Sequence, residues 1–249
     1  MSRRTVIITG ALAGIGEECV YAFARAGDNV IFSGRDPHKG ELLLAKLRDI
    51  NPECYFVPAD VRLEEQVSSL VLYALQRYQR IDVVLNVAGT EGHPTPYDKT
   101  TIDGFHKVFD TNVLGTQLMM KHALSVMRAQ RSGVMINFSS LAGQVGIPGG
   151  SVYAASKHAV NGLTRSAALE VAADGVRVNA IAPGPVATDM FERFVGRDEK
   201  AKAQFISKMP TGRIITTEEI AATALFLASD AARSIIGQII TVDGGYSVG

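Results

Sequence analysis

Two hydrophobic patterns alternate along the chain. Short, nearly continuous apolar runs rich in β-branched residues occur at 5–9, 29–33, 53–57, 81–87, 133–138, 176–182 and 238–242. Runs of this length and composition suit strands covered on both faces. Between them, apolar residues recur every three or four positions, the period of a helix with one buried face. Ile15, Cys19, Phe23 and Ala26 form one such stripe, ended by Gly27; Val67, Leu70, Val71 and Ala74 form another within a helix over 63–78. Further helices are expected from Pro37 to about Ile50, as one long segment from about Ile102 to Gln130, from the stretch containing Tyr153 to about Ala173, and over 218–228. Regular β–α alternation predicts an α/β domain with a parallel sheet. No repeat beyond that alternation, low-complexity tract or linker divides the chain, so 1–249 reads as a single domain.

Some joints between elements carry chemistry. The first strand runs directly into Gly10-Ala-Leu-Ala-Gly14-Ile15-Gly16, which opens the first helix. Glycines there permit a tight turn and let backbone N–H groups approach a phosphate, whose charge the helix dipole favours. The spacing is G-x-x-x-G-x-G rather than the common G-x-G-x-x-G. At the end of the second strand stand Gly34 and Arg35. An acid at such a strand end would accept from both ribose hydroxyls of NAD, whereas an arginine can hold the 2′-phosphate of NADP. The reading favours NADP(H) over NAD(H). A solvated surface arginine would look the same, the glycine loop offers Ala13 instead of a second basic residue, and Asp36 is an acid nearby. Asp36-Pro37 also fits an N-cap followed by proline at the first helical position.

Tyr153 and Lys157 are four residues apart and share one helix face. An ammonium beside a phenol favours the phenolate, which predicts a lowered tyrosine pKa and a group able to exchange a proton with an alcohol or carbonyl. The pair alone is common on helices; the surrounding pattern gives it weight. Small residues follow the fourth strand at Ala88-Gly89, leaving room for a ligand against the backbone. Asn112 stands among residues that otherwise read as core, and a satisfied core amide and a functional one are equally consistent with that placement. The segment at about 186–212 mixes charges with Phe191, Phe194, Phe205 and Met209; it fits either a cover over an apolar substrate or a surface helix pair.

The 25 basic and 25 acidic side chains cancel, which removes the electrostatic case for nucleic acid or a polybasic membrane anchor. The first apolar run is too short for a signal-peptide core or a membrane span. Cys19 and Cys54 provide neither a disulfide framework nor metal-ligand spacing, and no metal is expected. A soluble, cytoplasmic protein is the expectation.

The set Thr9-Gly10-x-x-x-Gly14-Ile15-Gly16, Asp60-Val61, Asn86-x-Ala88-Gly89, Asn112, Ser140, Tyr153-x-x-x-Lys157, Pro183-Gly184 and Val242-Asp243-Gly244-Gly245 resembles the short-chain dehydrogenase/reductase family over nearly the whole chain. The resemblance implies a single-domain Rossmann fold: a doubly wound, seven-stranded parallel sheet of order 3-2-1-4-5-6-7 with helices on both faces. It implies an NAD(P)(H)-dependent oxidoreductase that interconverts a ketone and a secondary alcohol by hydride transfer. Tyr153 would be the acid/base, and Lys157 would lower its pKa and hold the nicotinamide ribose. Ser140, thirteen residues before Tyr153, would bind the substrate carbonyl, and Asn112 a water linking Lys157 to solvent. Gly10, Gly14, Ile15 and Gly16 would line the pyrophosphate; Asp60 and Val61 the adenine; Asn86, Ala88 and Gly89 the adenosine side; Pro183, Gly184, Val186 and Thr188 the nicotinamide carboxamide. Val87 replaces an asparagine found in many members, a position with a structural role. A homotetramer is implied, with the helices near 102–130 and 151–173 forming one interface and the last helix and strand another.

Substrate choice is poorly encoded, a small ketone or secondary alcohol being the broad expectation. The alternatives are a 3-oxoacyl thioester carried on acyl-carrier protein and, from another class, a cofactor-binding sensor or scaffold without turnover. Arg131 matches a place where carrier-protein reductases show a basic residue, but Asp174 occupies another. The complete set of proton-transfer residues argues against the sensor.

Overall fold

A computed structural model describes residues 3–196 and 199–248. Its centre is a parallel sheet of seven strands: β1 (Thr5–Thr9), β2 (Asn29–Gly34), β3 (Cys54–Pro58), β4 (Val83–Asn86), β5 (Gly133–Phe138), β6 (Val176–Pro183) and β7 (Ile239–Val242). The order is β3-β2-β1-β4-β5-β6-β7, as the resemblance implied. The chain runs outward from β1 to β3, then returns to lay β4 on the other side of β1. Sheets wound in this order form a ligand crevice beyond the carboxyl ends of the strands, where the direction of winding reverses.

Alternation along each strand divides the core in two. Val6, Ile8, Val30, Phe32, Val83 and Leu85 face a layer built by α1 (Gly14–Arg25), α2 (Pro37–Leu47) and α9 (Thr217–Leu227). Ile7, Ile31 and Val84 face the opposite layer. There they meet the expected stripe Val67, Leu70, Val71 and Ala74 of α3 (Glu64–Tyr78), together with α5 (Gly115–Gln130) and α6 (Ser151–Val171). A strand buried on both faces has no polar side to display, which is why these runs are continuously apolar.

The segment expected as one helix over 102–130 is interrupted. It consists of α4 (Ile102–Phe109), a π turn (Asp110–Leu114) and α5. Asn112 lies in that turn, whose wider loop alters the presentation of its side chain; such turns recur at functional sites. The segment at about 186–212 contains α7 (Asp189–Val195) and α8 (Glu199–Ser207), while Met209 beyond them is buried in the first core layer. Residues 197 and 198 of that segment lie outside the described residues. Cys19 and Cys54 are buried free thiols, and desolvation holds both pKa values up.

Candidate active site

The glycine loop forms one wall of the crevice. Gly10 has φ of 64°, and a Cβ there would lie 2.5 Å from the Ala88 backbone. A Cβ on Gly16 would run into the carbonyl of Gly10. The loop therefore folds back on itself and against the end of β4, and larger side chains would fill it. Gly14 opens α1 with Ile15 and Gly16 behind it, so the first amides of that helix face the crevice. Across the gap stands Thr188, whose methyl would be 3.1 Å from a Cβ on Gly14. Such a cradle, with α1 pointing its amino end into it, fits a dinucleotide pyrophosphate.

At the adenosine end Gly34 closes β2, and a Cβ there would meet the Leu12 side chain at 2.5 Å. Leu12 thus fills the place an acidic side chain would need. Arg35 is exposed beside it, while Asp36 caps α2 by accepting from the Lys39 amide at 3.1 Å. The acid that complicated the cofactor reading is therefore engaged as a helix cap. Asp60 holds Arg62 through both carboxylate oxygens, with Nη2–Oδ2 at 2.6 Å, and Arg62 and Arg35 together hold its pKa below the usual range. Sequence reading passed over Arg62, the second basic residue at this end. Val61 is buried against Gly115 of α5. The Asn86 side chain turns inward: its amide donates to Asn137 Oδ1 at 2.8 Å, and Asn137 donates to Thr164 Oγ1. Ala88 and Gly89, in contrast, lie at the rim as small residues should.

Ser140, Tyr153 and Lys157 come together beside Gly89. Ser140 is extended at the end of β5 and accepts from the Ala142 amide at 3.1 Å; its hydroxyl is near enough to the Tyr153 phenol to favour the phenolate. Ser139 faces away, donating to the Lys157 carbonyl. Lys157 is buried one helical turn beyond Tyr153, with Nζ 5.7 Å from the Tyr153 ring centre and donating to Phe138 O at 2.7 Å.

The pKa directions differ from expectation. Tyr153 is pushed up to about 12, first by burial and further by the negative charge of Glu91, against a lowering by Ser140. Lys157 is pushed down to about 8 by burial. Desolvation favours the neutral form of each group, so burial sets the direction of both shifts.

Asn112 Oδ1 accepts from Thr90 N at 2.8 Å, and its Nδ2 donates to Thr90 O and to Ser156 Oγ. A Cβ on Gly89 would lie 3.3 Å from Asn112 Oδ1 and 3.5 Å from Lys157 Nζ, so both polar groups border the same glycine. Pro183 ends β6; a Cβ on Gly184 would lie 2.8 Å from the Asp243 backbone, and Val186 pairs with Ile215. Thr188 caps α7, accepting from Phe191 N at 3.3 Å.

Glu91, also missed from sequence, is nearly buried in the loop after β4 and is held by Arg193 of α7, with Nε–Oε1 at 2.7 Å. No local spacing joins residues so far apart. Among the described residues no cluster of three His, Cys, Asp or Glu side chains could hold a metal, and no helix is long and apolar enough to cross a membrane.

The family model described as enoyl-(acyl carrier protein) reductase matches residues 10–247. Cis-4-hydroxycyclohexanecarboxylate dehydrogenase of Sinomonas cyclohexanicum is 36% identical over 247 residues, covering 99% of this chain and 97% of that protein. Levodione reductase of Leifsonia aquatica is 36% identical over 251 residues, covering 98% of this chain and 94% of that protein. A crystal structure of levodione reductase matches with a TM-score of 0.95 at 35% identity, over 99% of this chain and 98% of the other. A structure of ElxO with NADP bound matches over the whole of both chains, with a TM-score of 0.94 at 31% identity. With the sheet order and crevice described above, these matches establish that the chain belongs to the short-chain dehydrogenase/reductase family, the NAD(P)-dependent oxidoreductases of CH–OH and C=O groups.

Proposed function

We propose that the protein is an NADP(H)-favouring oxidoreductase that interconverts a small ketone and its secondary alcohol, with Tyr153 as the acid/base. The grouping of Ser140 and Tyr153 with buried Lys157, whose Nζ lies 5.7 Å from the Tyr153 ring centre, carries this reading. When bound, the nicotinamide supplies or accepts the hydride. Gly10, Gly14, Ile15 and Gly16 would hold the pyrophosphate. Asp60, Val61 and the backbone at Asn86, Ala88 and Gly89 would line the adenosine, and Pro183, Gly184, Val186 and Thr188 the carboxamide.

Tyr153 holds the proton that a carbonyl oxygen needs as it becomes an alkoxide, and takes one back in oxidation. A second hydrogen bond to that oxygen, from Ser140, stabilises its developing charge. Lys157, when protonated, adds positive charge behind the phenol and favours its deprotonated form. Asn112 joins as a positioning residue and the holder of a water toward Lys157. Arg35, joined by Arg62, would take the 2′-phosphate, and Leu12 over Gly34 leaves no seat for an acid that would choose NAD.

Ring ketones are the first substrates to test, since cis-4-hydroxycyclohexanecarboxylate dehydrogenase is named for a ring alcohol. The acyl-carrier alternative loses support at Asp174, which neutralises Arg128 at 2.7 Å and Arg131 at 3.4 Å. A homotetramer fits the exposed Leu114 and Leu169 on one expected interface and Phe226 on the other; a cytoplasmic location is part of the same reading. The test is titration with NADPH and NADH, then a panel of ketones, sugars and acyl thioesters with the tighter cofactor. Tighter NADPH binding with ketone turnover is the expected result; tight binding with no turnover on the panel would point to the sensor.

A further inference from the structure

Glu91 is an unusual place for a carboxylate. Its side chain is only 6% exposed, it follows the Thr90 backbone that Asn112 holds from both sides, and its charge reaches the Tyr153 phenol. The compensating charge comes from outside: Arg193, with a side chain 61% exposed, reaches in from α7 and places Nε 2.7 Å from Oε1 and Nη2 3.4 Å from Oε2. An exposed ion pair contributes little, but separating a buried carboxylate from its partner leaves a desolvated charge behind.

The helix bearing Arg193 has only seven residues, too few to hold its place by its own hydrogen bonds. Its partner is α8: Phe191 and Phe194 pack on Phe205, with ring centres 5.7 and 6.4 Å apart, and Glu192 pairs with Lys202 at 2.8 Å. These contacts join the two short helices to each other. Glu91–Arg193 instead joins α7 to the loop beside the proton-transfer residues, across 102 positions of sequence.

We propose that Glu91 is a positioning residue whose ion pair with Arg193 latches α7 over the Tyr153 pocket, and that opening this pair admits the substrate. The substrate half rests on the Tyr153 reading; the latch itself does not. With the pair closed, the Glu91 charge is compensated and α7 excludes water from the phenol. With it open, the carboxylate must be rehydrated, so closure and drying of the pocket occur together.

The experiment compares hydrogen exchange of the 189–195 amides in the full-length protein with that in R193Q, E91Q and the double variant. Steady-state kinetics follow on the best ketone of the panel. R193Q alters an exposed side chain and so keeps the test valid if E91Q folds poorly. Each single change should speed exchange about tenfold, and the double should be no faster than either, because both remove one interaction. In R193Q, KM for the ketone should rise several-fold while kcat and NADPH affinity stay within about twofold. Unchanged exchange in R193Q overturns the latch, as does a double variant with multiplied effects. Faster exchange with an unaltered KM overturns the role in substrate entry. If the wild type turns over no ketone, the Tyr153 reading fails while exchange still decides the latch.

Discussion

The Asn112 side chain clasps both backbone groups of Thr90, accepting from its N–H at 2.8 Å and donating to its C=O at 2.9 Å. One amide thus completes the hydrogen bonding of a residue that pairs with no strand. It also sets where the next residue, Glu91, begins. The π turn is what brings Asn112 to this position, since Ser156 of α6 receives the second hydrogen of the same amide at 3.0 Å. A side chain with so many partners has a structural duty whatever its part in proton transfer.

Replacing Asn112 with Leu leaves Thr90 N–H and C=O without their partner. The expected loss is about 1–3 kcal/mol of stability, read from urea unfolding. Weakened substrate binding should accompany it, because the Glu91 loop loses its anchor. Undiminished stability would mean that water replaces the amide fully.

Tyr153→Phe removes one hydroxyl and little volume. Turnover should fall by about two to four orders of magnitude, with NADPH affinity within about twofold of the parent. Ser140→Ala should lower kcat by a smaller factor and leave cofactor binding alone. Substantial activity in the phenylalanine variant would remove Tyr153 from its assigned role.

The lowered Lys157 pKa, about 8, gives the pH dependence its sign. In the proposed mechanism carbonyl reduction needs Tyr153 protonated, which its pKa of about 12 ensures across the neutral range. It also needs Lys157 charged, and that charge is lost as pH rises. The kcat/KM for reduction should therefore be level at lower pH and fall through about pH 8 with loss of one proton. In Lys157→Arg the guanidinium stays charged to above about pH 12, so the alkaline fall should vanish from whatever activity remains. A profile unchanged by the substitution would assign the titration to another group.

Cofactor choice should yield to two changes together. Gly34→Asp alone collides with Leu12, so it should destabilise the protein more than it improves NADH binding. Combined with Leu12→Ala, which clears the space, it should raise NADH affinity and weaken NADPH by charge repulsion. Arg35→Ala should weaken NADPH far more than NADH; equal losses would place the 2′-phosphate elsewhere. Fluorescence titration with each cofactor measures all of these.

Much of this molecule could be read directly from local pattern. Continuous apolar runs and three-to-four spacing are short-range consequences of burial, so the strands and most helices fall where periodicity put them. The glycine loop and the Tyr153–Lys157 pair are likewise set within one turn or one helix face. Local pattern alone did not set the strand order; that came from family resemblance and was met in the sheet.

Tertiary structure alone decided what depends on contacts distant in sequence. The break at 110–114 holds no proline or glycine to announce it, and Asn112 within it bonds Thr90 and Ser156, both distant in sequence. Asp174 cancels Arg128 and Arg131 because a loop after α6 meets the end of α5. Spacing predicted that Lys157 would draw the Tyr153 pKa down; depth of burial, invisible to spacing, pushed it up instead. The meeting of Glu91 and Arg193 belongs to the same class. A charge pair joining a loop to a distant helix has no period, and only the folded chain brings its halves within hydrogen-bonding distance.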